Sequence, residues 1–163
     1  MDAIEAHGNH AAIRSARPKD FLAVAALDRL AWPQQPDTFI PDGEHIWRIW
    51  LEYATVMVAA PTNDSEVQIA GAAVMFPTTG DELFLHKIMV HPDHRRRGLG
   101  SKLMQAMLES ATKLVLLTVD PDNQAAVRLY QKMGFQIRET VSGFYRPHED
   151  RHVMAFQPAG DSL

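Results

Sequence analysis

The stretch Val90-His91-Pro92-Asp93-His94-Arg95-Arg96-Arg97-Gly98-Leu99-Gly100-Ser101 carries the reading of this chain. An apolar strand runs into Val90, a basic loop follows, and two glycines open a helix. The first N–H groups of a helix have no internal partner and sit at the positive end of its dipole, so such a junction suits an anion. Glycine lets backbone approach a phosphate with no Cβ in between. From His91 to Lys102, three arginines and one lysine stand against one aspartate, a local +3 in a chain that totals −4. Two familiar phosphate motifs do not fit. A P-loop needs an upstream glycine and a Ser or Thr after the lysine, and Gly100-Ser101-Lys102 has neither. A dinucleotide fingerprint needs a third small residue where Leu103 stands.

A second constellation lies downstream. Asn123, Ala126 and Tyr130 fall at i, i+3 and i+7, one face of a helix, and Ala126 leaves room between the other two. A phenol at that place is a proton donor. Gly134 follows as the residue that stops the helix.

Working outward, the pattern predicts strands at 11–16, 55–60, 67–76, 82–90, 114–119, 135–140 and 152–156. Helices are predicted at 21–30, after Asp42, from 99 to 111, and at 123–133. Asp42 is the expected cap of the second helix. Ile46, Ile49, Trp50 and Tyr53 are its expected buried face. The continuous apolar run 114–119 reads as a strand buried on both faces. The order β-α-α-β-β-β-α-β-α-β-β makes a mixed α/β sheet with a right-handed crossover at its centre. Residues 1–10 read as a flexible N-terminus, 11–157 as a single domain, and 158–163 as a tail.

Composition narrows the chemistry. A chain of 163 residues, 46% hydrophobic and 22% charged, has the balance of one ordinary folded domain. No apolar run approaches the ~20 residues of a membrane helix, and residues 1–10 contain no secretory apolar core. The absence of cysteine excludes disulfides, thiolate metal sites, iron–sulfur clusters and a Cys nucleophile. The acidic total argues against nucleic acid as main partner. His91 and His94 stand in a loop without a third ligand, so no metal is expected. These features fit a cytoplasmic protein with neither membrane nor nucleic-acid partner, monomeric or homodimeric.

The two constellations together resemble the GCN5-related N-acetyltransferase (GNAT) superfamily. Its R-x-x-G-x-G pattern is met by Arg95, Gly98 and Gly100. Its N-x-x-A-x-x-L-Y-x-K-x-G-F pattern is met by Asn123, Ala126, Leu129, Tyr130, Lys132, Gly134 and Phe135. The resemblance is close over about residues 83–137. It implies the GNAT fold: a mixed, mostly antiparallel sheet of about seven strands with about four helices, its fourth and fifth strands splayed apart to admit acetyl-CoA. Arg95, Arg96, Arg97, Gly98, Leu99, Gly100 and Ser101 would hold the pyrophosphate through their backbone amides. Ile88, Met89 and Val90 would pair with the pantetheine arm, and the Ile88 N–H would polarise the thioester carbonyl. Asn123 and Ala126 would border the cofactor. Tyr130 matches the family's acid, which protonates the departing thiolate.

An acceptor amine must attack as a free base, and the family often keeps an acidic residue on the fourth strand for this. The matching register here holds Phe84 and His86. Alternation places Glu82, Phe84, His86, Ile88 and Val90 on one face. The base is therefore His86, Glu82 or a water chain. Trp32 and Phe39 are expected on the acceptor wall and Trp50 in the core. The segment Phe144-Tyr145, Pro147, Glu149-Asp150 looks like the corresponding hairpin of ribosomal-protein N-terminal acetyltransferases. His86-Lys87-Ile88-Met89-Val90 is instead similar to small-molecule resistance acetyltransferases. The expected activity is direct acetyl transfer from acetyl-CoA to a primary amine of a small molecule. The alternatives are a protein N-terminal or lysine acetyltransferase, or a non-catalytic acyl-CoA sensor.

Overall fold

Alternation decides the sheet. In Thr55–Ala60 and Gly71–Pro77, every second side chain enters one of two apolar layers, and the strands pair antiparallel. The computed structural model describes residues 11–32, 41–61 and 68–160. Its strands are β1 (Ala12–Ser15), β2 (Thr55–Ala60), β3 (Gly71–Pro77), β4 (Glu82–Val90), β5 (Leu114–Val119), β6 (Gln136–Val141) and β7 (Arg151–Phe156). Its helices are α1 (Phe21–Ala31), α2 (Glu44–Tyr53), α3 (Leu99–Ser110) and α4 (Gln124–Lys132). The strands form one sheet in the order β1-β2-β3-β4-β5-β7-β6. All neighbours are antiparallel except β4 and β5. The fold is thus the mixed α/β sheet that the element order predicts. Residues 1–10, the turn at 62–65, and residues 161–163 lie outside the described residues. The third strand starts at Gly71, later than expected.

Each face of the sheet has its own core. Leu103 and Met107 of α3 and Phe135 after α4 pack on Met75, Leu85, Val115, Leu117 and Met154. Val24 and Leu27 of α1 and Trp47 and Leu51 of α2 pack on Val56, Val58, Val74 and Met89. β5 is not buried on both faces: Val115, Leu117 and Val119 are buried, while Leu114, Leu116 and Thr118 are half-buried. The reason is lateral. The α1–α2 layer covers β2, β3 and β4, and Thr118 of β5 borders a cavity instead.

Two local features position the site. β4 and β5 pair only at Glu82–Leu114, Leu83–Val115 and Phe84–Leu116, after which they part. In addition, β4 carries a bulge. Val74 of β3 faces Lys87 while the next residue, Met75, faces Leu85, so His86 is the extra residue. The bulge breaks the expected alternation. Leu83, Leu85, Ile88 and Val90 join the α3 side, whereas Lys87 and Met89 are buried toward α1 and α2. The rings of Phe84 and His86 reach Phe76, and His86 also reaches Trp50, on that second side. Glu82, Phe84, His86, Ile88 and Val90 therefore do not share a face.

The buried face of α2 also differs from the expected one. Trp47 is fully buried, whereas Ile49 is 51% and Tyr53 80% exposed. Trp50 is half-buried, edge-on to Trp47 and stacked on Phe76, so it flanks the core without filling it. The rotation of the helix follows from a polar anchor: Trp47 Nε1 donates to the buried Asp28 carboxylate at 3.0 Å. Asp42 does not cap α2. Gly43 holds that position, because the Asp42 carboxylate is engaged elsewhere.

Candidate active site

Alternate residues of a strand turn their backbone groups to alternate neighbours. The His91 N–H donates to Ala70 O on the β3 side, so the N–H groups of Ile88 and Val90 face the gap toward β5. The Val90 carbonyl on that side accepts from Arg95 Nε at 3.4 Å. An extended polar chain entering the gap meets a ready strand edge.

At the far end of β4 the loop turns into an anion nest. Arg95 has φ −66°, Arg96 has φ +61° and Gly98 has φ +74°. Alternating handedness of this kind turns successive N–H groups inward. The first intrahelical bond of α3 is donated by Lys102 to Gly98 O, so the N–H groups of Leu99, Gly100 and Ser101 precede the ladder. A Cβ on Gly98 would meet nothing within 4 Å, so the space above it is open. Arg96, Arg97, Gly98 and Ser101 are exposed, while Leu99 is buried as the helix's first core contact. The Arg95 guanidinium points away from the nest and bonds the Ala31 carbonyl at the C-terminus of α1, bracing loop against helix.

Between the splayed strands and the β6–β7 connection lies a cavity of about 500 Å³. Its wall includes Ile88, His86, Tyr130, Trp32, Tyr145 and Glu149. Tyr130 is half-buried, its ring edge-on to Phe135, and burial pushes its phenol up from the ordinary value. It is a protonated donor at neutral pH. Asn123 caps α4, its Oδ1 accepting from the Ala126 N–H at 3.2 Å. Gly134 ends the same helix at φ +100°.

The structure thus brings His86, Ile88 and Tyr130 to one cavity. Glu82 stands apart at the start of β4, where its carboxylate accepts from Thr78 Oγ1 at 3.0 Å in the β3–β4 turn. Trp32 lines the cavity as expected, and Phe39 lies outside the described residues. Glu149 also lines it, ion-paired to Arg146 at 2.5 Å, and Tyr145 Oη lies 3.3 Å from Thr118 Oγ1. Asp150 is committed to the connection itself. It accepts from Ser142 Oγ and Gly143 N, bonds that hold its carboxyl below the usual range. His91 Nδ1 accepts from the Asp93 N–H, a local cap.

One group was invisible in the sequence. Lys87, 8% exposed, donates to both oxygens of the fully buried Asp28 at 2.9 and 3.0 Å and to Asp42 Oδ2 at 2.5 Å. His86 Nε2 lies 3.2 Å from the same Asp42 oxygen. Burial pushes the Asp42 carboxyl up, but the His86 and Lys87 hydrogen bonds and the Lys87 charge outweigh it and hold the carboxyl low. The partners are 45 to 59 residues apart, so no local pattern announces them.

Among the described residues, no helix is long and apolar enough to cross a membrane. Comparison with known proteins gives the same direction. Residues 24–135 match the family model described as acetyltransferase (GNAT) family. An N-alpha-acetyltransferase of Sulfurisphaera tokodaii is 27% identical over 162 residues, covering 91% of this chain and 93% of that one. An L-amino acid N-acyltransferase of Escherichia coli is 34% identical over 56 residues, 32% of this chain and 33% of that protein. The crystal structure of the ribosomal-protein-S18-alanine N-acetyltransferase from Escherichia coli superposes with a TM-score of 0.74 at 25% identity, covering 93% and 97% of the two chains. Against two other curated relatives the match covers only 29% and 33% of their length, so this chain spans about a third of each. By the family match over residues 24–135, with the split β4–β5 pair and the nest at α3, the chain belongs to the GNAT acetyltransferase family.

Proposed function

We propose that this protein transfers an acetyl group from acetyl-CoA directly to the α-amino group of a peptide N-terminus. The observation that carries the reading is the cavity at the mouth of the β4–β5 gap, where Ile88, Tyr130 and His86 share one wall. The gap suits an extended pantetheine arm and the nest suits its pyrophosphate. The bound co-substrate supplies the activated acetyl carbon. The Ile88 N–H is placed to hold the carbonyl oxygen as charge develops there. His86 takes one proton from the acceptor ammonium, and the freed amine attacks. The C–N bond forms, the C–S bond breaks, and the thiolate takes a proton from Tyr130. The nitrogen's surplus proton returns to the phenolate through water. The products are amide, free thiol and one released proton. Without cysteine there is no acetyl-enzyme thioester, which accords with a ternary complex.

The choice of an α-amine over other amines rests on resemblance: the Sulfurisphaera relative is named an N-alpha-acetyltransferase, and one Escherichia relative is named for an alanine of a ribosomal protein. Free amino acids are the second reading, favoured by the acyltransferase relative that is named for them. A sensor without catalysis has no use for a half-buried, protonated phenol at this wall. The test is thiol release from acetyl-CoA with a peptide panel, free amino acids, and alkylamines such as lysine side-chain analogues. Release with peptides alone is expected. Release with amino acids and not peptides moves the function to the second reading, and tight acetyl-CoA binding with no release leaves the sensor.

A further inference from the structure

The bulge in β4 sends two consecutive side chains, His86 and Lys87, to the same side, and both end on one atom, Asp42 Oδ2. Lys87 and Asp28 explain each other, as a buried ammonium needs a carboxylate. The second carboxylate on Lys87 is not required by that pairing. Its effect is to place an anchored acceptor against His86 on the cavity wall. The anchoring is thorough. Asp42's own N–H donates to Asp28 Oδ2 at 2.8 Å, and Trp47 Nε1 donates to that same oxygen. Trp50 and Phe76 flank the imidazole at ring distances of 5.2 and 5.9 Å.

We infer that Asp42, fixed by the Lys87–Asp28 pair, is a positioning residue that holds His86 in its Nε2–H tautomer and leaves Nδ1 to accept the proton of the acceptor amine. A carboxylate can only accept, so the nitrogen beside it carries the hydrogen and the other nitrogen carries the lone pair. The formal charge of Asp28, Lys87 and Asp42 together is −1, and a proton on His86 brings the group to zero. The other charges facing His86 come from across the cavity: Arg146 and Glu149, which pair with each other, and Arg151 of β7. This inference rests on His86 being the base of the proposed reaction.

The experiment follows the His86 imidazole by long-range ¹H–¹⁵N NMR in the full chain, beside the pH dependence of kcat/KM. In the unaltered protein the neutral ring is expected as the Nε2–H tautomer; an Nδ1–H ring overturns the inference without any variant. In Asp42→Asn the neutral ring should no longer be held as the single Nε2–H tautomer, because an amide at that place can donate as well as accept. The rate at neutral pH should fall about tenfold, part of the ~10²–10⁴ that general-base catalysis supplies, with KM for acetyl-CoA unchanged. Asp42→Glu should restore part of it. A tautomer ratio unchanged in Asp42→Asn overturns the inference. His86→Ala separates the two levels. If its acid limb survives, the base assignment itself fails; if the limb is lost while Asp42→Asn leaves the tautomer and the rate unchanged, only the role of Asp42 fails.

Discussion

Tyr130 holds its proton because its phenol is half-buried against Phe135 in the apolar layer beneath α3 and α4. Raising a phenol above its usual value of ~10 keeps the donor loaded throughout the neutral range. Tyr130→Phe is therefore expected to lower kcat by about 10²-fold or more while leaving acetyl-CoA affinity within about twofold, the pattern of a lost proton donor. Steady-state kinetics beside equilibrium titration checks this. Tyr130 and Gly98 were legible because each stands in a short motif whose spacing carries its chemistry. Asp28, Lys87 and Asp42 were not. A lone aspartate in an apolar helix and a lysine in a strand look like surface charges until the fold joins them. His86 itself was legible as a candidate base, but the bulge was not, so period-2 reading put it on one face with Ile88 and Val90.

At the scale of elements, most boundaries follow from pattern and turn chemistry: β2, β4 and β5 begin and end where alternation and apolar runs place them. The rotation of α2 did not follow, because two apolar stripes compete on that helix. Ile46, Ile49, Trp50 and Tyr53 look as good as Trp47 and Leu51. The decision is made by a polar partner from another element, Asp28. The two left-handed glycines that bound α3 and α4 make contrasting predictions. Gly134 sits at φ +100° with the Phe156 ring 3.3 Å from where a Cβ would be. Gly134→Ala should cost about 1–3 kcal/mol, read as a Tm lower by roughly 2–4 °C per kcal/mol. Gly98 has the same handedness but open space around it. Gly98→Val should cost a comparable amount of stability and, in addition, weaken acetyl-CoA binding at least tenfold by calorimetry, because its side chain would fill the nest. A variant that melts early but binds normally would remove the nest from the proposed site.

The whole molecule is an acidic body with one basic segment, and its acid stability follows from its anchored carboxylates. Asp20 is fully buried. Burial raises its carboxyl, but the Arg14 hydrogen bond at 2.8 Å, the Arg17 N–H and the two arginine charges hold it below the ordinary value. Asp42 is held low in a similar way by His86 and Lys87. A carboxyl that is low in the fold and near ~3.9 when unfolded stabilises fully above that value and loses its contribution as pH falls through the folded value. Stability should thus stay level above about pH 5 and fall below pH 4. Asp20→Asn should be less stable than the parent by about 1–3 kcal/mol at pH 7, a gap that closes in acid. Urea unfolding at stepped pH measures both, and a gap unchanged at pH 3 would remove Asp20 from this account.

The parting of β4 and β5 after three paired residues has one more consequence. A sheet ordinarily offers unpaired backbone only at its two outer rims, where another molecule's strand can dock and seed aggregation. Here a third rim opens inside the sheet, closed at one end by the last β4–β5 pair and roofed on one face by α3. A folded neighbour's strand arrives with its own pleat and side chains and has no approach there, whereas a thin, flexible tether does. The molecule can keep an adhesive backbone edge in permanent readiness for its ligand without offering that edge to its own kind.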